Sequence, residues 1–385
     1  MTEWTTLPLV RAIQLQRGHD LPSSRREEGK VPIIGSFGIT GFHSEAKYAG
    51  PGVAIGRSGA SIGVATYCPG DYWPLNTCLF VADFKGNDPR WVYYLLDSID
   101  FTAFNSGSAQ PSLNRNYLAD IPVAVPPIEE QRAIAATLGA LDDRIESNRR
   151  IEVLGLTLLD AMSEQVGEAL PEVPIGEVAA MTRETVKPGE FGAQVVEHFS
   201  LPSFDTGARA DVVAATSIMS SKIQIPGNCV LVSRLNPRTN RTWWVTTKPG
   251  TPALSSTEWA CLTAHDRPAL AGLWLAVRDP FFRQELTKRV TGTSGSHQRV
   301  RPDDLLSIPV PDVRGLARTT TLQALSVLDE IEHKRSESAV LANLRDALLP
   351  ELLCGRTRVA AEAINDQALQ EETAGGIPNT ALRAQ

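Results

Sequence analysis

No apolar run in the 385 residues approaches the ~18 that a membrane span needs, so no membrane association is expected. The opening MTEWTTLPLVRAIQLQRG has no basic stretch followed by an apolar core, and no secretory signal is expected there. Five cysteines are few and odd in number, and no two form a Cys-x-x-Cys pair. Cys68, Cys78, Cys229, Cys261 and Cys354 read as reduced thiols of a cytoplasmic protein, not a disulfide or zinc framework. Six scattered histidines (His19, His43, His198, His265, His297, His333) give no metal-ligand spacing. GRSGASIG is followed by no Gly-Lys-Ser/Thr, which excludes a phosphate loop. No Asn-Pro-Pro-aromatic run and no glycine fingerprint ahead of a parallel βαβ series is present, so a methyltransferase site is not expected. Positive charge is also in short supply: the net charge of −7 argues at first against a nucleic-acid partner.

The distribution of charge alters that reading. Residues 1–127 hold 10 basic and 11 acidic side chains, and residues 171–313 hold 15 and 14. Residues 128–170 hold 4 and 9, and residues 314–385 hold 8 and 10. The excess of acid over base lies outside the two near-neutral segments, so a local basic groove remains open to them. At 42% apolar and 21% charged the composition is that of ordinary globular protein, and the length allows two or three domains.

Self-comparison reveals a long-period repeat. Pro8-Leu9 matches Pro174-Ile175 and Pro22 matches Pro188, an offset of 166. PGVAIGRSG (51–59) resembles PGNCVLVSR (226–234). Gly107-Ser108-Ala109-Gln110 matches Gly295-Ser296-His297-Gln298, and Ile121-Pro122-Val123 matches Ile308-Pro309-Val310. Leu141-Asp142 matches Leu328-Asp329, with the offset grown to 187. The shared order implies two domains, each followed by a helix. Within the first copy, VPIIGSF, GVAIGR, IGVATY and CLFVADF read as strands, and Asp88-Pro89 opens a helix. The second copy offers QVVEHFSL, CVLVSR, TWWVTT and EWACLTA, then one helix from about Pro268 to Val290.

After Pro127, apolar residues recur at helical spacing from Ile128 to Val166, roughly 40 residues or about 60 Å. Leu322, Leu325, Leu328, Ile331, Leu341, Leu344, Leu348 and Leu352 repeat the pattern. Each stripe needs a cover. The other helix supplies one, as an antiparallel coiled coil; packing of each helix on its own domain is the alternative. The expected fold class is α+β: two similar mixed α/β domains separated by two long helices packed as an antiparallel coiled coil. The expected segments are domains at 1–127 and 170–313, helices at 128–169 and 314–358, and a polar, disordered tail at 359–385.

With this organisation the chain resembles the specificity subunits of type I restriction–modification systems. The exit IPVAVPPIEEQRAIAATLGALDDRIESNRR, the run LLPELLCGRTRV, the loop GSAQPSL and the stretch GRSGASIGVATYCPGDYWPLN carry the likeness, which covers roughly residues 1–358. The second exit, Pro311-Asp312-Val313-Arg314, departs from it by lacking the Gln-Arg pair. The resemblance implies a non-catalytic chain whose two target-recognition domains each read half of a split site in double-stranded DNA. It implies helices that set the gap and dock two methyltransferase subunits, and a translocating restriction subunit that can join. No cofactor is expected in this chain, S-adenosylmethionine belonging to the partner methyltransferase.

Base reading needs planar donors and small hydroxyls on exposed loops. In the first domain these are Arg57, Ser58, Ser61, Asn76, Thr77, Ser108, Gln110, Asn114 and Arg115, with Ser36, Thr40, His43 and Lys47 beyond the first strand. In the second, SRLNPRTNRTWW offers Arg234, Asn236, Arg238, Asn240 and Arg241. The loop TGTSGSHQRVR adds Thr293, Ser294, Ser296, His297, Gln298, Arg299 and Arg301. Any one of them can equally be a phosphate contact or a solvated loop residue. Trp243 and Trp244 are expected to be strand neighbours on opposite faces rather than a stacking platform for an extruded base. Two rival functions remain: a self-contained nuclease built on Asp20, Glu45 and Lys47, and a scaffold that binds proteins and no DNA.

Overall fold

A computed structural model describes residues 4–104, 112–291 and 298–359. The tail beyond 359 and the candidates Ser108, Gln110, Thr293, Ser294, Ser296 and His297 lie outside the described residues. The chain divides into two compact units, residues 1–145 with 340–385, and residues 146–339. No helix among the described residues is long and apolar enough to cross a membrane.

In the first unit, strand Gly52–Gly56 lies between Cys78–Asp83 and Ala65–Cys68, and Gln14–Arg17 completes a four-stranded antiparallel sheet. The sheet is buried on both faces, which is why GVAIG and LFV read as unbroken apolar runs. Val53, Ile55, Leu79 and Val81 face a core with helix Pro89–Asp97. Ala54, Cys78 and Phe80 face the other way, against Ile34 and Tyr72. The helix starts where Asp88 accepts the amides of Arg90 and Trp91, with Pro89 in its first turn. A second sheet holds the hairpin Val31–Gly35 and Gly38–His43, with Trp73–Pro74 parallel to its first strand.

The second unit repeats the plan. Cys229–Ser233 is flanked by Trp259–Thr263 and Thr242–Val245, with Ala180–Thr182 at the edge. Val230, Val232 and Leu262 face one core and Leu231, Trp243 and Cys261 the other. Trp243 and Trp244 are both buried, on opposite faces of one strand. The hairpin Val195–Phe199 and Asp211–Ala214 pairs with a parallel strand, Ala253–Ser255, in the same manner as its counterpart. The domain entry recurs too: Leu9 N–H donates to Ile121 O at 2.8 Å, and Ile175 N–H to Ile308 O at 2.9 Å.

One expected helix is two. Arg267–Arg278 stops at Asp279, whose extended backbone precedes Pro280 and caps a new helix, Pro280–Lys288. A residue before proline is pushed out of the α region. The PGVAIGRSG match is also displaced: strand pairing sets Gly56 opposite Cys78 and Ser233 opposite Trp259, two residues from the ungapped alignment. A shift of two keeps every side chain on its face, so the pattern could not detect it.

The long helices run over Ile128–Ala169 and Arg318–Leu353 and pack antiparallel. In the second unit Glu152 meets Arg335 at 2.6 Å, Asn148 donates to Ser338 at 3.2 Å, and Gly155 lies against Ile331 and Val327. In the first unit Asp142 meets Arg345 at 2.8 Å. The helices also pack on the domains: Ile134, Ala135 and Leu138 of the first helix and Leu352 of the second join the first core, and Ala324 and Leu328 of the second join the other. The apolar stripe is only partly used. Leu154, Leu158, Leu322 and Leu344 are exposed, because a two-helix contact buries a narrow seam.

The exit motif has a structural explanation. Pro127 O accepts the Glu130 and Gln131 amides at 2.9 and 3.0 Å. Gln131, 2% exposed, accepts from Asp88 N–H at 2.9 Å and donates to Asn87 at 2.8 Å and Pro126 O at 2.9 Å. Trp4 donates to Glu130 at 3.0 Å, and Gly355 from LLCGRTRV lies against the same indole. The second exit, lacking the Gln, is tied by Asp312 N–H to Pro171 O at 2.8 Å and by Arg314 on Asp312 at 2.7 Å.

Candidate nucleic-acid interface

In each module the chain leaves the central strand at an arginine, and the two arginines are the same position. Arg57 N–H donates to Thr77 O at 3.0 Å, Arg57 O accepts from Leu113 at 2.8 Å, and the guanidinium reaches Asn76 O at 3.5 Å. Arg234 N–H donates to Glu258 O at 2.9 Å, its carbonyl accepts from Val300 at 3.0 Å, and its guanidinium donates to Thr257 O and, at 3.1 Å, to Val300 O. One residue on, Ser58 bridges to Ser112 and Leu235 to Arg299. Three separate segments therefore converge on each arginine-anchored turn.

In the first module this brings Arg57, Ser58, Asn76 and Thr77 together, with Asn114 one residue beyond the Leu113 contact. Ser36 joins them, since a Cβ on Gly56 would stand 2.5 Å from Ser36 O. Ser36 and Ser58 are half-buried and Thr77 is exposed. Asn76 donates to Asp20, a residue of the rival nuclease set, and Lys47 of that set lies 5.6 Å over the Trp73 ring. Thr40 is exposed and donates to Ile33 O at 3.3 Å. Arg115 lines a cavity of about 240 Å³ with Val10, Ile13 and Gln14. Two candidates are corrected. Ser61 is fully buried, donating to Ser58 O at 3.1 Å. His43 is buried beside Trp73 and accepts the Glu27 amide at 3.0 Å.

In the second module most of the charge is already engaged. Arg241 is bidentate on Asp205 at 2.7 and 2.9 Å and holds that carboxyl below its usual range. Arg299 is bidentate on Glu258 at 2.9 and 2.6 Å. Burial pulls the Arg234 guanidinium down from its ordinary value. Asn240, with its amide turned to suit its neighbours, accepts from Arg278 and Arg283 and donates to Thr242. Arg234, Asn240 and Arg241 thus each hold bonds within the module. Asn236 holds a positive φ of 48° and donates its amide to Gln298 O at 2.9 Å. Arg238 and Arg301 are exposed and unpaired among the described residues. Sequence reasoning missed the acids that occupy Arg241 and Arg299, since Asp205 and Glu258 lie far along the chain from them.

Residues 3–154 match the family described as the type I restriction modification DNA specificity domain. The chain is 30% identical over 133 residues to the type I restriction enzyme EcoprrI specificity subunit of Escherichia coli, a stretch covering 34% of this chain and 33% of that one. It is 27% identical over 143 residues to a Haemophilus influenzae chain named as a type I restriction enzyme specificity subunit, covering 36% and 37%. These matches span about a third of the length of either relative. The fold is similar to the type I restriction-modification S subunit from M. genitalium, with a TM-score of 0.64 at 15% identity over 91% of this chain and 96% of that one. Residues 3–154 therefore resemble such a specificity domain, and the fold is similar to that of a solved S subunit.

Proposed function

We propose that this chain is the sequence-reading subunit of a type I restriction–modification complex and carries no catalysis of its own. Each module reads one half of a split site in double-stranded DNA. The long helices set the gap and dock two methyltransferase subunits, which bring S-adenosylmethionine; a translocating restriction subunit can join. The reading is carried by the recurrence of one arginine-anchored turn, on one topology, in two modules whose side chains there differ. A shared scaffold with different exposed groups suits two dissimilar half-sites. Phosphate contacts supply affinity without sequence preference, so base-edge contacts must decide the site.

The test is to express the chain with its methyltransferase and map modified bases across a genome by long-read sequencing. A split, non-palindromic motif is expected, and it must vanish when this chain is omitted. Modification that persists without the chain, or DNA cleavage by the purified chain with Mg²⁺ alone, would overturn the proposal.

A further inference from the structure

The hairpin Val31–Gly35 and Gly38–His43 turns through two residues, Ser36 and Phe37, between glycines. Gly38 holds a φ of +93°, which the tight turn demands. Such tips take Asn, Asp or Gly. Here the tip carries a phenylalanine that is 70% exposed, with Ile39 exposed beside it. The run VPIIGSF reads as a strand; the strand ends at Gly35 and leaves Phe37 in the turn. The neighbourhood is the one already singled out. Ser36 O crowds Gly56, immediately before Arg57, and the Leu75 amide of the Asn76 turn donates to Ile34 O at 2.8 Å. Phe37 thus follows directly on the Ser36 carbonyl that packs at Gly56, the residue before Arg57.

Resting on the function proposed above, we infer that Phe37 is a specificity-determining residue that packs against the 5-methyl group of a thymine in the half-site read by the first module. A two-stranded ribbon fits the major groove, where the thymine methyl is the one apolar feature of the base edges. An exposed apolar side chain can recognise that feature by packing against it. The second module lacks the device. Its equivalent hairpin is joined through the short helix Leu201–Asp205, whose Phe204 turns inward onto Trp243 and Trp259 at 5.5 and 5.6 Å. The effect therefore belongs to one half-site only.

The experiment uses the chain in complex with its methyltransferase and duplexes of the mapped site. Thymines are replaced singly by deoxyuridine, which removes the methyl and leaves hydrogen bonding intact. One replacement in the first module's half-site should weaken wild-type binding about fourfold, as expected for one buried methyl. Phe37→Ala should be insensitive to that same replacement, and Phe37→Leu should restore part of the sensitivity. Thermal unfolding of both variants should match wild type, since the side chain is exposed. A half-site without thymine, or equal deoxyuridine losses for wild type and Phe37→Ala, overturns this inference and leaves the functional reading standing. Failure of the wild-type complex to prefer its mapped site over random DNA removes both.

Discussion

Gln131 shows how much a single buried amide can fix. It ties the start of a long helix to the loop before helix Pro89–Asp97, and Asn87 passes the link to Ala12 O at 2.7 Å. Gln131→Ala strands the Asp88 amide and Pro126 O, and should cost about 1–3 kcal/mol in urea unfolding. Thiols offer a second test. Cys68, Cys78, Cys229 and Cys261 are buried and Cys354 is exposed, and burial pushes Cys78 up to about 12. A thiol reagent should titrate one cysteine in the native chain and all five after denaturation. Charge gives a third. Burial, and then Lys222, pull the His198 imidazole below its usual value, against a weaker pull from Asp211. A histidine held neutral stabilises the fold above its unfolded value near ~6.5, and that contribution is lost as pH falls. Wild type should therefore lose more stability between pH 7.5 and 5.5 than His198→Asn; equal losses would contradict the assignment.

At the scale of elements, the same clamp recurs where each domain helix meets the long helix that follows it. Arg90 pairs with Asp143 at 2.6 Å, and Arg267 pairs with Asp329. Both arginines follow an N-cap aspartate, Asp88 or Asp266, with a proline in the first turn. The contact between the long helices depends on Glu152 and Arg335, whose side chains are 27% and 15% exposed. Glu152→Arg should destabilise by about 1–3 kcal/mol, and Glu152→Arg with Arg335→Glu should recover most of it. A double variant no better than the single would mean that the pair contributes only bulk. The exposed Leu154 and Leu158 are apolar groups that this pairing leaves uncovered.

At the scale of the whole molecule, the duplication governs what can be exchanged. Each module has its own buried sheet, entry ribbon and arginine turn, and its core is completed by side chains of the long helices, Leu352 in the first and Leu159 in the second. Replacing residues 1–127 by another such domain should alter one half of the modified motif and leave the other unchanged, as read by genome-wide mapping. Alteration of both halves would mean that the modules do not read independently.

The sequence by itself determined the α+β class, the duplication and the long helices: the strands show as short apolar runs bounded by Gly, Pro and Asn, the rods as a helical period, and the repeat as one long offset. It also located both arginine turns, since Arg57 and Arg234 stand where a buried run ends. Only the tertiary structure decided which donors remain available. Arg241 and Arg299 find their carboxylates 36 and 41 residues away, and His43 and Ser61 are drawn inward by bonds that local pattern does not encode. Exposure is a property of what packs overhead. For the same reason Phe37, in a run that reads as a strand, stands at a hairpin tip, and the helix that stops at Asp279 reads as continuous until Pro280 is seen to turn it.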